Sequence, residues 1–293
     1  MTFLLAFGAA FAQPINPFLE GSETDIFRAE RQVVTVASRY AQTVEQAPSL
    51  VSVISADDIH QMGFRTLTDV LRTIPGVYIS VSKESRSLAW FRGTVSADNN
   101  KILLLVDGVP WYDGVYTHAW IDEYVPLYNV RQIEVIKGPG SAVYGTNAFA
   151  GVINVVTYSA EELSGSHLHV SVGSQARAEV AVITGAKIGE NASVKAFARA
   201  LDMRGDGLST TPKGEPNIVA SNPKRAVNGG IEFNVHNTTL RYDFIDFTHT
   251  YFVNPQFDIW SVLLESSDEF NLNYRNDFFY LRSDISLGLM GTF

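Results

Sequence analysis

VRQIEVIKGPGSAVYGTNAFAGVINVVT, running from Val130 to Thr157, is the stretch whose reading decides the fold. Two β-rich runs, Val130–Ile136 and Val152–Val156, flank a link carrying Gly138, Pro139, Gly140, Gly145 and Gly151. Gly138-Pro139-Gly140 follows the first run directly and ends it, while Gly145 and Gly151 permit tight turns or close backbone approach. A phosphate-binding loop would also set glycines after a strand. Neither GxGxxG nor GxxxxGKS/T is present, however, and Pro139 lacks the N–H that such a cradle needs. The stretch therefore reads as two buried strands joined by a compact link.

Upstream, the same texture continues. Leu50–Ser55 is a short β-rich run, and Ser55-Ala56-Asp57-Asp58 is a capping box that opens a helix through Met62, stopped at Gly63. Thr66-Leu67-Thr68-Asp69 repeats the signature, with Pro75-Gly76 as its stop. Strand-like runs follow at Val77–Val81 and Ile102–Val106. Short helices and mixed strands between residues 22 and 157 describe a compact α+β unit. Before it, residues 13–30 carry prolines, a glycine and charges without period and read as a tether. The apolar stretch Phe3–Phe11, ending in Ala10-Phe11-Ala12, reads as a signal peptide over residues 1–12; it lacks a basic n-region, so the start codon is expected upstream.

After about residue 165, helical signals give way to strict alternation. Val194, Ala196, Ala198 and Ala200 share one face of a strand, and Ser193, Lys195 and Arg199 the other. Leu240, Tyr242 and Phe244 oppose Thr239, Arg241 and Asp243 in the same way. Segments of about ten residues with one apolar and one polar face suit a transmembrane barrel around a wet lumen. A soluble β-sandwich gives the same alternation with its polar face outside, and the pattern alone leaves the two open.

Composition narrows the function classes. With 46% hydrophobic and 18% charged residues among 293, the chain is built to fold, and 22 Lys+Arg against 31 Asp+Glu leave a formal charge of −9. No basic run follows a phosphate backbone, so nucleic acid is not an expected partner. The absence of cysteine excludes disulfides and thiolate metal sites. No GxSxG or HExxH motif occurs, an enzyme has no support, and no cofactor is implied. His167 and His169, two apart on one strand face, lack a third ligand, and no metal is expected.

The Val130–Thr157 stretch, with TLTDVLRTIPGVYIS (66–80), WFRG (90–93) and KILLLVDGVPWYDG (101–114), resembles the plug domain of TonB-dependent outer-membrane receptors, of the cobalamin and siderophore kind. The resemblance covers nearly all of residues 31–157. It implies a plug domain over 31–158, followed over 166–293 by the antiparallel transmembrane strands of an incomplete β-barrel, roughly eight at ten residues plus a turn each. An eight-stranded barrel is too narrow for a plug of ~130 residues, whose radius of gyration is about 14 Å, so an open sheet against the plug is expected.

The resemblance also implies roles. Gln32, Val33, Val34, Thr35, Val36 and Ala37 resemble the Ton box, the segment that TonB grasps. Arg92 and Lys137 stand where the family places two arginines that pair with glutamates of the barrel wall; lysine keeps the charge and loses the planar fork. The apical loops of the plug face the outside solution, which places Lys83, Arg86, Trp111, Tyr112, Tyr116, His118 and Trp120 as candidate contacts for a small-molecule ligand such as a metal chelate. The expected function is TonB-dependent uptake of a scarce nutrient across the outer membrane, with lipid around the strands. A non-transporting receptor fragment and a soluble periplasmic binding domain are the alternatives.

Overall fold

The computed structural model describes residues 33–34, 42–43, 51–82, 86–96, 98–114, 117–205, 208–210, 218–220, 224–251 and 270–283. The expected signal peptide and tether lie outside them.

The first strands are β1 (Val33–Val34) and β2 (Gln42–Thr43), which pair with each other. β3 (Val51–Ser55) leads into α1 (Ala56–Gln61), and α2 (Leu67–Arg72) follows. Both helices start at the expected capping boxes: Ser55 and Thr66 accept from the N–H of Asp58 and Asp69, whose carboxylates reach back to the cap backbone. Next come the hairpin β4 (Val77–Val81) and β5 (Ser87–Phe91), then β6 (Ile102–Val106) and β7 (Val109–Pro110). The decisive stretch folds as β8 (Val130–Lys137), α3 (Ser141–Tyr144) and β9 (Gly151–Thr157), and α4 (Ala160–Leu163) closes the unit. Strand β5 and helices α3 and α4 were not expected from the sequence.

These strands form a mixed sheet in the order β3-β8-β9-β6-β7, with β6 and β9 parallel and the other pairs antiparallel. Strand β6, between β9 and β7, is buried on both faces, which is why it reads as an unbroken apolar run. Ile102, Leu104 and Val106 join Leu67, Val70, Leu71 and Phe91 in the main core, while Leu103 and Leu105 pack with Ile136, Ala148 and Val152 in a smaller one. Gly151 is required by close approach: a Cβ there would lie 2.6 Å from the Ile136 carbonyl oxygen and 2.7 Å from the Phe91 ring.

The second sheet contains β10 (Gly165–Val172), β11 (Ala178–Ile188), β12 (Ala192–Met203), then, past a short hairpin of β13 (Leu208–Thr210) and β14 (Ile218–Ala220), β15 (Lys224–Val235), β16 (Thr238–Tyr251) and β17 (Phe270–Ser283). Among the described residues its six strands run β10-β11-β12-β15-β16-β17, all antiparallel, and do not close into a barrel. Roughly eight strands were expected; β13 and β14 pair only with each other among the described residues, within the β12–β15 connection. One end of the sheet has the short turns 189–191 and 236–237, and the other has the connections 173–177, 204–223 and 252–269.

The structure resolves which face is inner. Ser193, Lys195, Arg199, Asn228, Arg241 and Asp243 are buried, whereas Leu168, Val172, Phe279 and Leu281 are at least 70% exposed. The polar face packs on the α+β unit and the apolar face points away, the inverse of a soluble sandwich.

Candidate functional site

The contact between the α+β unit and the sheet begins at a two-residue turn. Asp107-Gly108 joins β6 to β7 with φ of 50° and 79°, the backbone a type I′ hairpin turn demands and an Asp-Gly pair supplies. The turn presents the Asp107 carboxylate, which accepts from the Thr157 N–H and hydroxyl, both at 2.7 Å, and from Arg241 of β16. Arg241 also donates to Asp243 at 2.5 Å. Beside it, the Lys195 ammonium donates to the Thr157 hydroxyl at 2.9 Å and the Tyr158 carbonyl at 3.0 Å, and lies 3.3 Å from Glu232. Burial pushes the Asp107 carboxyl up, but Arg241, Lys195 and the two Thr157 donors together hold it below its ordinary value.

A second contact lies nearer the long connections. Glu123 pairs with Lys224 at 2.5 Å, and its carbonyl accepts from Arg199 at 2.7 Å. Asn228 donates to the Tyr124 carbonyl at 3.0 Å. In both contacts the ion pair that crosses between the units runs from an acid of the α+β unit to a cation of the sheet.

Between these contacts and the long connections sits the segment expected to face outward. Its aromatic side chains are packed beneath the loop instead. Trp111 stacks on Phe278 with centroids 4.1 Å apart. Trp120, 3% exposed, sits edge-on to Tyr124 and Phe247 and tilted against Tyr274. Tyr112 is half-buried against the smaller core. The cause is the wall itself: β16 and β17 bring aromatic rings inward, and burying these surfaces outweighs exposing them.

Polar side chains pin the same loop. Arg86 pairs with Asp98 at 2.9 Å, and Asn99 donates to the Ser87 and Ala119 carbonyls while accepting from the Ala89 N–H. The His118 N–H donates to Asp113 at 3.0 Å, and its Nδ1 lies 2.5 Å from the Asp98 carbonyl, so Nδ1 carries the ring proton. Burial and the Arg86 charge push the imidazole down to about 4. Lys83 and Tyr116 lie outside the described residues.

Arg92 and Lys137 make no ion pair among the described residues. The Arg92 side chain passes over Gly76 and Gly138. At the two contacts among the described residues the charges run the other way, from Asp107 and Glu123 of the plug to Arg241 and Lys224 of the wall. Asp107 and Glu123 went unnoticed in the sequence; the Asp-Gly turn was the available signal for the first. Val33 and Val34 pair with Thr43 and Gln42, apart from the five-stranded sheet, and Gln32, Thr35, Val36 and Ala37 lie outside the described residues. The His167 ring contacts the Leu163 carbonyl, the His169 ring stacks on Tyr128, and no metal-binding group of three appears among the described residues.

Comparison with known proteins agrees with this architecture. The family model of the TonB-dependent Receptor Plug Domain matches residues 43–152. The chain is 36% identical over 149 residues to the vitamin B12 transporter BtuB of Vibrio vulnificus, covering 50% of this chain and 24% of that one. It is 35% identical over 142 residues to the iron-regulated outer membrane virulence protein of Vibrio cholerae, covering 45% and 21%. The chain thus spans about a quarter of the length of these relatives. Among solved structures, the ferric enterobactin receptor of Pseudomonas aeruginosa superposes with a TM-score of 0.59 at 21% identity, over 83% of this chain and 40% of that one. The pyoverdine receptor FpvA of the same species gives 0.58 at 18%, over 76% and 31%. Residues 43–152 thus match the TonB-dependent Receptor Plug Domain in sequence, and the strand wall packed on them is similar in fold to the walls of the solved receptors.

Proposed function

We propose that a receptor containing these residues takes up a scarce nutrient, such as an iron chelate or cobalamin, across the outer membrane by TonB-dependent transport. The observation that carries this reading is the seam itself. The plug rests on a polar wall whose other face is apolar, and ion pairs and hydrogen bonds at Asp107 and Glu123 join the two. Polar contacts of this kind can be exchanged for water, which a movable plug requires. Short periplasmic turns and longer outer loops are the rule in such barrels, so the long connections mark the outer end.

Ligand contact is assigned to that outer end. Lys83, Tyr112 and Tyr116 are the proposed contacts, with Arg86, Trp111, His118 and Trp120 holding the surface that carries them. The proposed TonB segment is Gln32–Ala37. The isolated pairing of Val33–Val34 with two residues supports it, since a segment added to a partner's sheet edge must first be releasable. Val34→Pro blocks strand addition at one point and leaves the plug core alone. In cells expressing a receptor with this plug, ligand binding should persist and energised uptake should fall sharply. Uptake at the unmodified rate, with normal receptor in the membrane, rejects the assignment.

A further inference from the structure

Between helix α1 and the first hairpin of the wall lies a cavity of about 100 Å³, lined by none of the residues that form the two contacts above. Its lining includes His60 and Arg65 from the end of α1 and the loop after it, Tyr128 from the turn before β8, and His169, Arg177 and Glu179 from the β10–β11 hairpin. Two of these side chains offer buried donors with no acceptor among the described residues. Arg177 is 7% exposed, and its Nε has no hydrogen-bond partner, although its Nη2 donates to Glu179 at 2.6 Å. The Tyr128 hydroxyl is likewise buried and unpartnered. Burial raises the phenol above its ordinary value, which keeps its proton in place as a donor.

The charge balance points the same way. Glu179 is shared between Arg177 and Arg199, each at 2.6 Å, so two guanidinium groups face one carboxylate. Arg65 adds a third: its Nη1 lies 3.3 Å from where Gly173, in the loop of the same hairpin, would carry a Cβ. The Arg65 guanidinium makes no ion pair among the described residues. Buried polar groups in folded proteins are nearly always satisfied, and orphan donors beside surplus positive charge call for an acceptor that is itself anionic.

We infer that this cavity binds a small oxyanion of the phosphate class, held by Arg65, the Arg177 Nε and the Tyr128 hydroxyl. Size excludes the transported chelate, because pockets for molecules of that kind run to about 300–1,000 Å³. Position selects a dissolved ion over a lipid headgroup. His169 lies on the lumenal face of β10, with Leu168 and Val170 pointing to the opposite, lipid side.

Titration of inorganic phosphate into the full chain in detergent micelles, at ionic strength held constant with chloride, tests this by calorimetry. Saturable one-site binding is expected. Arg65→Gln should weaken it about tenfold, the equivalent of one charge-assisted hydrogen bond, and Tyr128→Phe several-fold. Arg65 is exposed and Tyr128→Phe keeps the ring, so both variants should retain the tryptophan fluorescence of the folded chain. Phosphate heats no different from chloride, or both folded variants binding as tightly as the unmodified chain, would overturn the site. Competition by phosphatidylglycerol added to the micelles would overturn its assignment to a dissolved ion.

Discussion

Arg241 of the wall and Asp107 of the plug, 134 residues apart in sequence, meet across the interface as an ion pair in which each keeps a second partner on its own side. Asp107 belongs to the plug through Thr157, and Arg241 to the wall through Asp243. The pair therefore joins two separately braced units.

Asp107→Asn should loosen the plug. Breaking a buried pair costs about 3–5 kcal/mol, and since the Asp107 side chain keeps 25% exposure, about 2 kcal/mol is expected. Its folded carboxyl lies below the ordinary 3.8, so its contribution is complete above that value and is lost as pH falls through the lower folded one. Guanidinium midpoints for wild type and variant should differ at pH 7, and the gap should narrow as pH falls below 3.8. A constant gap across that range would show that the Asp107 charge does not matter.

His118 should titrate near 4, not at its ordinary 6.5. Its neutral form is the one the fold holds, so the stabilisation is complete above 6.5 and declines as pH falls from there through about 4. Nuclear magnetic resonance of the ring protons reads this directly. A midpoint at 6.5 would mean the loop is open to water.

Trp120→Ala should cost about 3–5 kcal/mol, the usual price of emptying a large aromatic site. A double-mutant cycle with Phe247→Leu should return about 0.5–1.5 kcal/mol of coupling, reflecting their 4.9 Å edge contact. Additive losses would place the two rings in separate environments.

Gly151→Ala should destabilise the plug by about 1–3 kcal/mol, because the new methyl meets the Ile136 carbonyl and the Phe91 ring. Gly114→Ala, with nothing within 4 Å, is the control and should stay within about 0.5 kcal/mol. Equal thermal midpoints for the two variants would contradict the close approach.

The plug was largely legible because its signals are local. Ser55 with Asp58, Thr66 with Asp69, and the apolar run of β6 each specify an element within a few residues. Strand β5 was hidden because Ser87–Phe91 is buried at nearly every position and gives no alternation. Helix α4 was overlooked although Ser159 and Glu162 form the same capping box as the others. The alternating strands were legible, but not which face was inner, since Lys195 and Arg199 look alike whether they meet water or a plug. The exposure expected of Trp111 and Trp120 failed for the same reason: Phe247, Tyr274 and Phe278, the rings that cover them, come more than a hundred residues later and form no motif with them.

The inward turn of Lys195, Arg199, Asn228 and Arg241 makes the chain between Thr157 and Arg241 sensitive to parity. In an extended strand, inserting one residue exchanges the two faces for everything between the insertion and the next flexible connection, whereas inserting two restores them. One residue added ahead of Ser193 would aim two cations at lipid and Val194 and Ala198 at the plug. Two added residues would leave each cation on its own side, shifted along the strand by a single step. Along these strands, insertions of even length should therefore be tolerated where single ones are not.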